Sequence, residues 1–181
     1  MEDESVRYND DAPVAQRCDD GRMTRFPWHS NTHERFTTMI RPATSADLTA
    51  VFNIVNESSP CDLNFQMFAQ TYVSQLSSLD RRLGVYEEDG VIMGFVGILC
   101  TWQLHAGERI AETKELVVAK AHQDKDIRDQ LLSWAEQVAR ESGCGKITMC
   151  SRVEHTDSHR FYEENGYRKT YHRFDKYITL D

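Results

Sequence analysis

The chain lacks any long apolar run. No stretch approaches the roughly 18 residues that a membrane-crossing helix needs, so no membrane partner is expected. Its first residues, Met1 to Asp11, are acidic and have no apolar stretch like that of a secretory signal. Basic residues are in deficit, with 21 Lys and Arg against 29 Asp and Glu and a formal net charge of −8. A general nucleic-acid binder needs a basic face to displace counterions from phosphates, so nucleic acid is not an expected partner. The five cysteines (Cys18, Cys61, Cys100, Cys144 and Cys150) are odd in number, scattered, and form no C-x-x-C pair. This argues against a disulfide framework and for free thiols in a reducing cytoplasm. None of the seven histidines stands at zinc-finger spacing from a cysteine, and there is no H-E-x-x-H. No metal site is expected from them, and divalent-metal dependence stays open.

What is present is the composition of a soluble globular protein, 40% hydrophobic and 28% charged over 181 residues, enough for one domain with a full core. Residues 1–38 are rich in Asp, Arg, Asn and Thr and follow no period of 2.0 or 3.6, which reads as a flexible acidic extension. The domain is placed at 39–181. Its first strand is Met39–Arg41, stopped by Pro42. Helical spacing follows over Ser45 to Glu57, with Thr44 or Ser45 as cap, and again from Asp62 through Phe65, Phe68, Tyr72 and Leu76. Leu83–Glu87 and Val91–Trp102 flank the hairpin signal Glu88-Asp89-Gly90, and Ile110–Val118 is a further strand. Asp126–Ser142 is the longest amphipathic helix, closed by Gly143 and Gly145. Lys146–Arg152 then reads as a strand, Asp157–Glu164 as a helix capped by Asp157, and Tyr167–Ile178 as a final strand. Strand, helix, strand in this half implies a crossover and a parallel strand pair.

Three segments in this order resemble the core of the GNAT superfamily of N-acetyltransferases. They are Glu115-Leu116-Val117-Val118 with the loop after it, Leu131-Leu132-x-Trp134-Ala135, and His159-Arg160-Phe161-Tyr162-Glu163-Glu164-Asn165-Gly166-Tyr167. Ile40-Arg41-Pro42-Ala43-Thr44 and Tyr171-His172-Arg173-Phe174-x-Lys176 extend the similarity over about Ile40 to Ile178. Within the superfamily the chain most resembles aminoalkylphosphonate N-acetyltransferases. The resemblance implies an α/β (α+β) domain: one mixed, mostly antiparallel sheet with a central parallel, splayed strand pair and flanking helices. It also implies acetyl-CoA as cosubstrate and a small primary amine as acceptor, joined in a ternary complex. A homodimer is left open, because such folds often pair through sheet edges or the last strand.

Acyl transfer from a thioester to an amine needs the amine neutral, the carbonyl polarised and the departing thiolate protonated. By resemblance, the backbone of Leu116, Val117 and Val118 meets the pantetheine arm, and the loop Gln123, Lys125, Asp126, Ile127, Arg128 meets the pyrophosphate through amides and the helix dipole. Tyr162 falls on the position of the acid that protonates the sulfur; its other reading is packing. Glu112 and Glu115 stand where a carboxylate accepts the amine proton, and each also reads as an ordinary surface carboxylate. A strict period of two puts these two on opposite faces of the strand, so that only one would reach the amine. His105, His159 and Arg160 match positions of the phosphonate-acting relatives, and Arg160 or Arg173 could grip an acid group.

The phosphate loop departs from the family pattern. Gln123 fits, but Asp126 and Arg128 stand where small residues let the backbone approach the pyrophosphate. Arg128 would crowd the ligand unless it binds phosphate itself or the loop shifts outward. The competing reading is therefore a degenerate GNAT fold with impaired CoA binding that acts as a binding or regulatory protein.

Overall fold

The computed structural model describes residues 40–123 and 125–178, without the Lys125 side chain. The extension expected over 1–38, and Met39, lie outside the described residues.

Strand β1 (Ile40–Pro42) stops at its proline, which has no N–H to continue a ladder. A short 3-10 turn, Ser45–Asp47, follows under a reciprocal capping box of Thr44 and Asp47, and leads into helix α1 (Leu48–Ser58). The Asn64 side chain accepts from the Met67 N–H and so starts helix α2 (Phe65–Leu76). Strands β2 (Arg81–Glu88) and β3 (Val91–Gln103) are joined by Asp89 and Gly90, whose φ angles of 50° and 77° suit the twist of a two-residue hairpin. Strand β4 (Glu108–Val118), helix α3 (Lys125–Glu141), strand β5 (Lys146–Met149) and helix α4 (Thr156–Glu164) complete the order.

The sheet runs β1-β2-β3-β4-β5, antiparallel except for the β4–β5 pair, which is parallel as a crossover through α3 demands. Helices cover both faces, so the middle of β3 (Gly94–Ile98) is buried throughout and reads as an unbroken apolar run. On one face Val96, Ile98, Cys100 and Ala111 pack with Ile127, Leu131 and Ala135 of α3. On the other, Leu83, Val85 and Phe95 pack with Val51 of α1 and Tyr72 of α2. Gly84 lets α3 sit close: a Cβ there would lie 2.7 Å from the Trp134 ring.

Two expectations fail here. Residues 167–178 form no strand, and Tyr171, Phe174 and Tyr177 are 80%, 91% and 101% exposed. Composition favours a strand there, but a strand exists only where a neighbouring ladder takes its N–H and C=O groups. The segment does touch the sheet through side chains, with Lys146 Nζ lying 5.2 Å from the Tyr171 ring centre. Asp157 is not the cap of α4 either. His155 holds that position without a side-chain hydrogen bond, and Asp157 lies inside the first turn, where the helix dipole favours a negative charge.

Candidate active site

The site begins where β4 and β5 part. Their pairing runs from Ile110 opposite Lys146 to Thr113 opposite Met149, where β5 ends. β4 continues for five more residues, Lys114 to Val118, paired only to β3. On the β5 side its backbone groups are therefore not used by the sheet, which suits hydrogen bonds to an extended, amide-bearing arm. Leu116 and Val118 pack against the α3 core, while Val117 packs against the α1–α2 core.

The expectation that Glu112 and Glu115 point opposite ways is wrong. Gly97 pairs with Glu115 but Ile98 pairs with Thr113, so Lys114 is an extra, bulged residue. Gly97 and Leu99 lie on one face of β3, and their partners Glu115 and Glu112 therefore share that face. Both carboxylates look toward the side covered by α1 and α2. Lys114 Nζ bonds Glu112 Oε1 at 2.7 Å. Glu115 is tucked against Gly97, where a Cβ would collide with its Oε2, and among the described residues that buried oxygen has no hydrogen-bond partner. Burial pushes the Glu115 pKa above its ordinary 4.5; Arg81 and Lys114 oppose this, and Glu112 adds to it. A carboxylate so placed is ready to take a proton.

Helix α3 begins beside the end of β4. Gln123 and Asp126 are exposed there, and the Ile127 side chain is spent in the core. Arg128 is half-buried, with its guanidinium 4.0 Å from the Phe161 ring centre and 5.4 Å from that of Tyr162. The expected crowding residue thus packs on the aromatic pair of α4. Asn165 Nδ2 donates to Asp129 Oδ1 at 3.2 Å and Tyr167 OH to Glu136 Oε1 at 3.1 Å, fastening α4 to α3 along the same side. Tyr162 is half-buried between Phe161 and Tyr167, with ring centres 5.2 and 6.0 Å away.

Glu112 and Glu115 are brought together, as are Arg128 and Tyr162. His105 is exposed in the turn between β3 and β4, Arg160 is exposed on α4, and His159 Nε2 meets the Arg152 carbonyl at 2.8 Å. Arg173 pairs with Asp175 at 3.2 Å. Sequence reasoning missed the bulge at Lys114, for which the only signal is a glycine within an apolar strand, Gly97. It also missed Arg81, whose charge opposes the rise of the Glu115 pKa.

The model of the acetyltransferase (GNAT) family matches residues 48–167, about two thirds of the chain. The chain belongs to the GNAT acetyltransferase family. It is 29% identical over 137 residues to an aminoalkylphosphonate N-acetyltransferase of Salmonella typhimurium, covering 76% of this chain and 89% of that one. Two solved structures share the fold. A putative acetyltransferase from Agrobacterium tumefaciens has a TM-score of 0.69 at 19% identity over 77% of this chain and 99% of its own. Glucosamine-6-phosphate N-acetyltransferase from Arabidopsis thaliana has a TM-score of 0.66 at 18% identity over 77% and 97%. This GNAT member is thus an N-acetyltransferase enzyme whose mixed sheet is that of its relatives. Among the described residues no cluster of His, Cys, Asp or Glu could hold a metal ion, and no helix is long and apolar enough to cross a membrane.

Proposed function

We propose that this enzyme transfers an acetyl group from acetyl-CoA to a small primary amine by direct attack in a ternary complex. The observation that carries this reading is the bulged, half-paired β4: it offers unused backbone along its β5 edge and two carboxylates on the face covered by α1 and α2. The thioester arm would lie along Leu116, Val117 and Val118. The amide groups at the start of α3, in the stretch Gln123, Lys125, Asp126, Ile127 and Arg128, would receive the pyrophosphate, as helix N-termini receive anions. The packing of Arg128 on Phe161 supports a loop compatible with that role, since it gives the long side chain a place of its own.

In this reading Glu115, helped by Glu112, accepts a proton from the amine. The freed nitrogen lone pair attacks the thioester carbon, the C–N bond forms, and the C–S bond breaks. The departing sulfur takes the Tyr162 hydroxyl proton, and the second proton that the attacking nitrogen sheds as the amide forms returns to the Tyr162 oxygen through water. His105, His159 and Arg160 remain proposed substrate contacts, and the reducing cytoplasm the proposed compartment. The exposed apolar side chains of 171–178 beside the outer edge of β5 support a homodimer.

The test is calorimetric titration of acetyl-CoA, followed by product detection over a panel of primary amines. Micromolar binding with acetylated product is expected. Absence of binding at millimolar acetyl-CoA would leave the degenerate-fold reading in its place. Tyr162→Phe should lower kcat about 10²-fold or more with little change in acetyl-CoA affinity, and unchanged turnover removes the acid role.

A further inference from the structure

The sheet face that carries Glu112 and Glu115 also carries a cation. Arg81 opens β2 opposite Leu99, and Leu99 is opposite Glu112, so the three form one row across β2, β3 and β4. In the next row stand Leu83, Gly97 and Glu115, and Gly97 leaves the middle of that row without a side chain. Neighbouring strands lie about 4.8 Å apart, which puts the Arg81 and Glu112 backbones roughly 10 Å from each other. Arg81 is half-buried, and among the described residues no hydrogen bond or ion pair engages its guanidinium. It borders an open cavity of about 470 Å³ whose other walls are Gln70, Thr71, Ser74, Gln75 and Ser78, from the C-terminal half of α2 and the turn after it. Every one of these side chains ends in a hydroxyl, an amide or the guanidinium. Glu115, one row away, feels the charge of Arg81, but no carboxylate lines the cavity itself, so an oxyanion entering it meets the guanidinium without a competing acid there.

We infer that Arg81 and the polar face of α2 form the subsite for an acid group (a phosphonate, phosphate or carboxylate) carried by the acceptor amine. The inference rests on the reading of the chain as an acetyltransferase of small amines. It places the acceptor across the sheet, with its anion at Arg81 and its nitrogen at Glu112 and Glu115. The two ends of the site have opposite sign, so a substrate that is itself a dipole is favoured in one orientation, and a neutral amine uses only half of the site. Guanidinium binds such oxyanions in a bidentate manner, and the α2 hydroxyls and amides offer neutral donors for the remaining oxygens. Of the other candidate grips, Arg173 is already paired with Asp175.

The experiment is calorimetric titration of the full chain, with and without CoA, using 2-aminoethylphosphonate, β-alanine and propylamine. Wild type, Arg81→Ala and Arg81→Lys are compared, with circular dichroism to check the fold. Both acids are expected to bind at least about tenfold more tightly than propylamine, and Arg81→Ala to weaken them about 10- to 100-fold, bringing the preference close to unity. Arg81→Lys keeps a point charge and should recover part of it. The ranking of phosphonate against carboxylate tells which acid the subsite takes. Acids that bind no better than propylamine, or that bind Arg81→Ala within twofold of wild type, overturn the proposal. Acetyl transfer in the same samples separates the two readings. Arg81-dependent acid binding without turnover sinks the acetyltransferase reading alone. Turnover of amines without any Arg81-dependent acid preference sinks the subsite alone.

Discussion

Glu115 has one buried oxygen that, among the described residues, has no hydrogen-bond partner, and burial sets its folded pKa above the unfolded value. Between those two values the folded chain keeps a proton that the unfolded chain has released. The stabilising contribution of the neutral acid is fully present below pH about 4.5, and it is lost as pH rises through the folded pKa. Glu115→Gln, neutral at every pH, should therefore melt above wild type at pH 8, with the gap closing toward pH 4. Thermal unfolding followed by circular dichroism checks this, and a gap independent of pH contradicts it. If Glu115 is the base, the same substitution should lower kcat by about 10²-fold or more and abolish the acidic limb of its pH profile. Its identity as a candidate was legible from its place before Leu116-Val117-Val118. Its direction was not, because one bulged residue reverses the side on which every later side chain falls.

At the scale of elements, two clasps hold the site's walls. Asp47 is 5% exposed and takes two hydrogen bonds from the Arg41 guanidinium, at 2.8 and 2.9 Å, besides the Thr44 N–H at 2.7 Å. The Arg41 contact holds the Asp47 pKa down to about 2. Its contribution is present above pH 3.8 and is lost as pH falls through about 2. Asp47→Asn should cost about 2 kcal/mol at pH 7, measured by urea unfolding. The second clasp joins α3 to α4 through Arg128 on Phe161, Asp129 to Asn165, and Glu136 to Tyr167. Arg128→Ala removes about 0.5–1 kcal/mol of cation–π attraction, so α4 amides should exchange roughly two- to fivefold faster by hydrogen-exchange mass spectrometry. Unchanged exchange would mean that the arginine does not hold α4. The helices were readable from their apolar spacing and caps. The partner of Arg128 was not, because 33 residues separate it from Phe161 along the chain.

At the scale of the molecule, β5 is the last strand of the sheet, and Tyr171, Phe174, Tyr177 and Ile178 are exposed along the segment that follows α4. Exposed aromatics near an unpaired edge favour association with a second copy. Sedimentation velocity is expected to find a dimer that Phe174→Ser with Tyr177→Ser weakens; a monomer at every concentration overturns that. By itself the sequence determined the order of strands and helices as far as α4 and the crossover that makes β4 and β5 parallel, and it offered candidates for acyl-transfer chemistry. These follow from local periodicity, caps and the match of ordered motifs, all of which lie along the chain. Only the tertiary structure decided that Glu112 and Glu115 face the same way, that Arg128 packs on α4, that residues 167–178 form no strand, and that Arg81 stands in line with the carboxylates. Each of these depends on register or on contacts between distant segments. Which partner a side chain meets across a sheet is set by pairing and packing, and no local pattern records it.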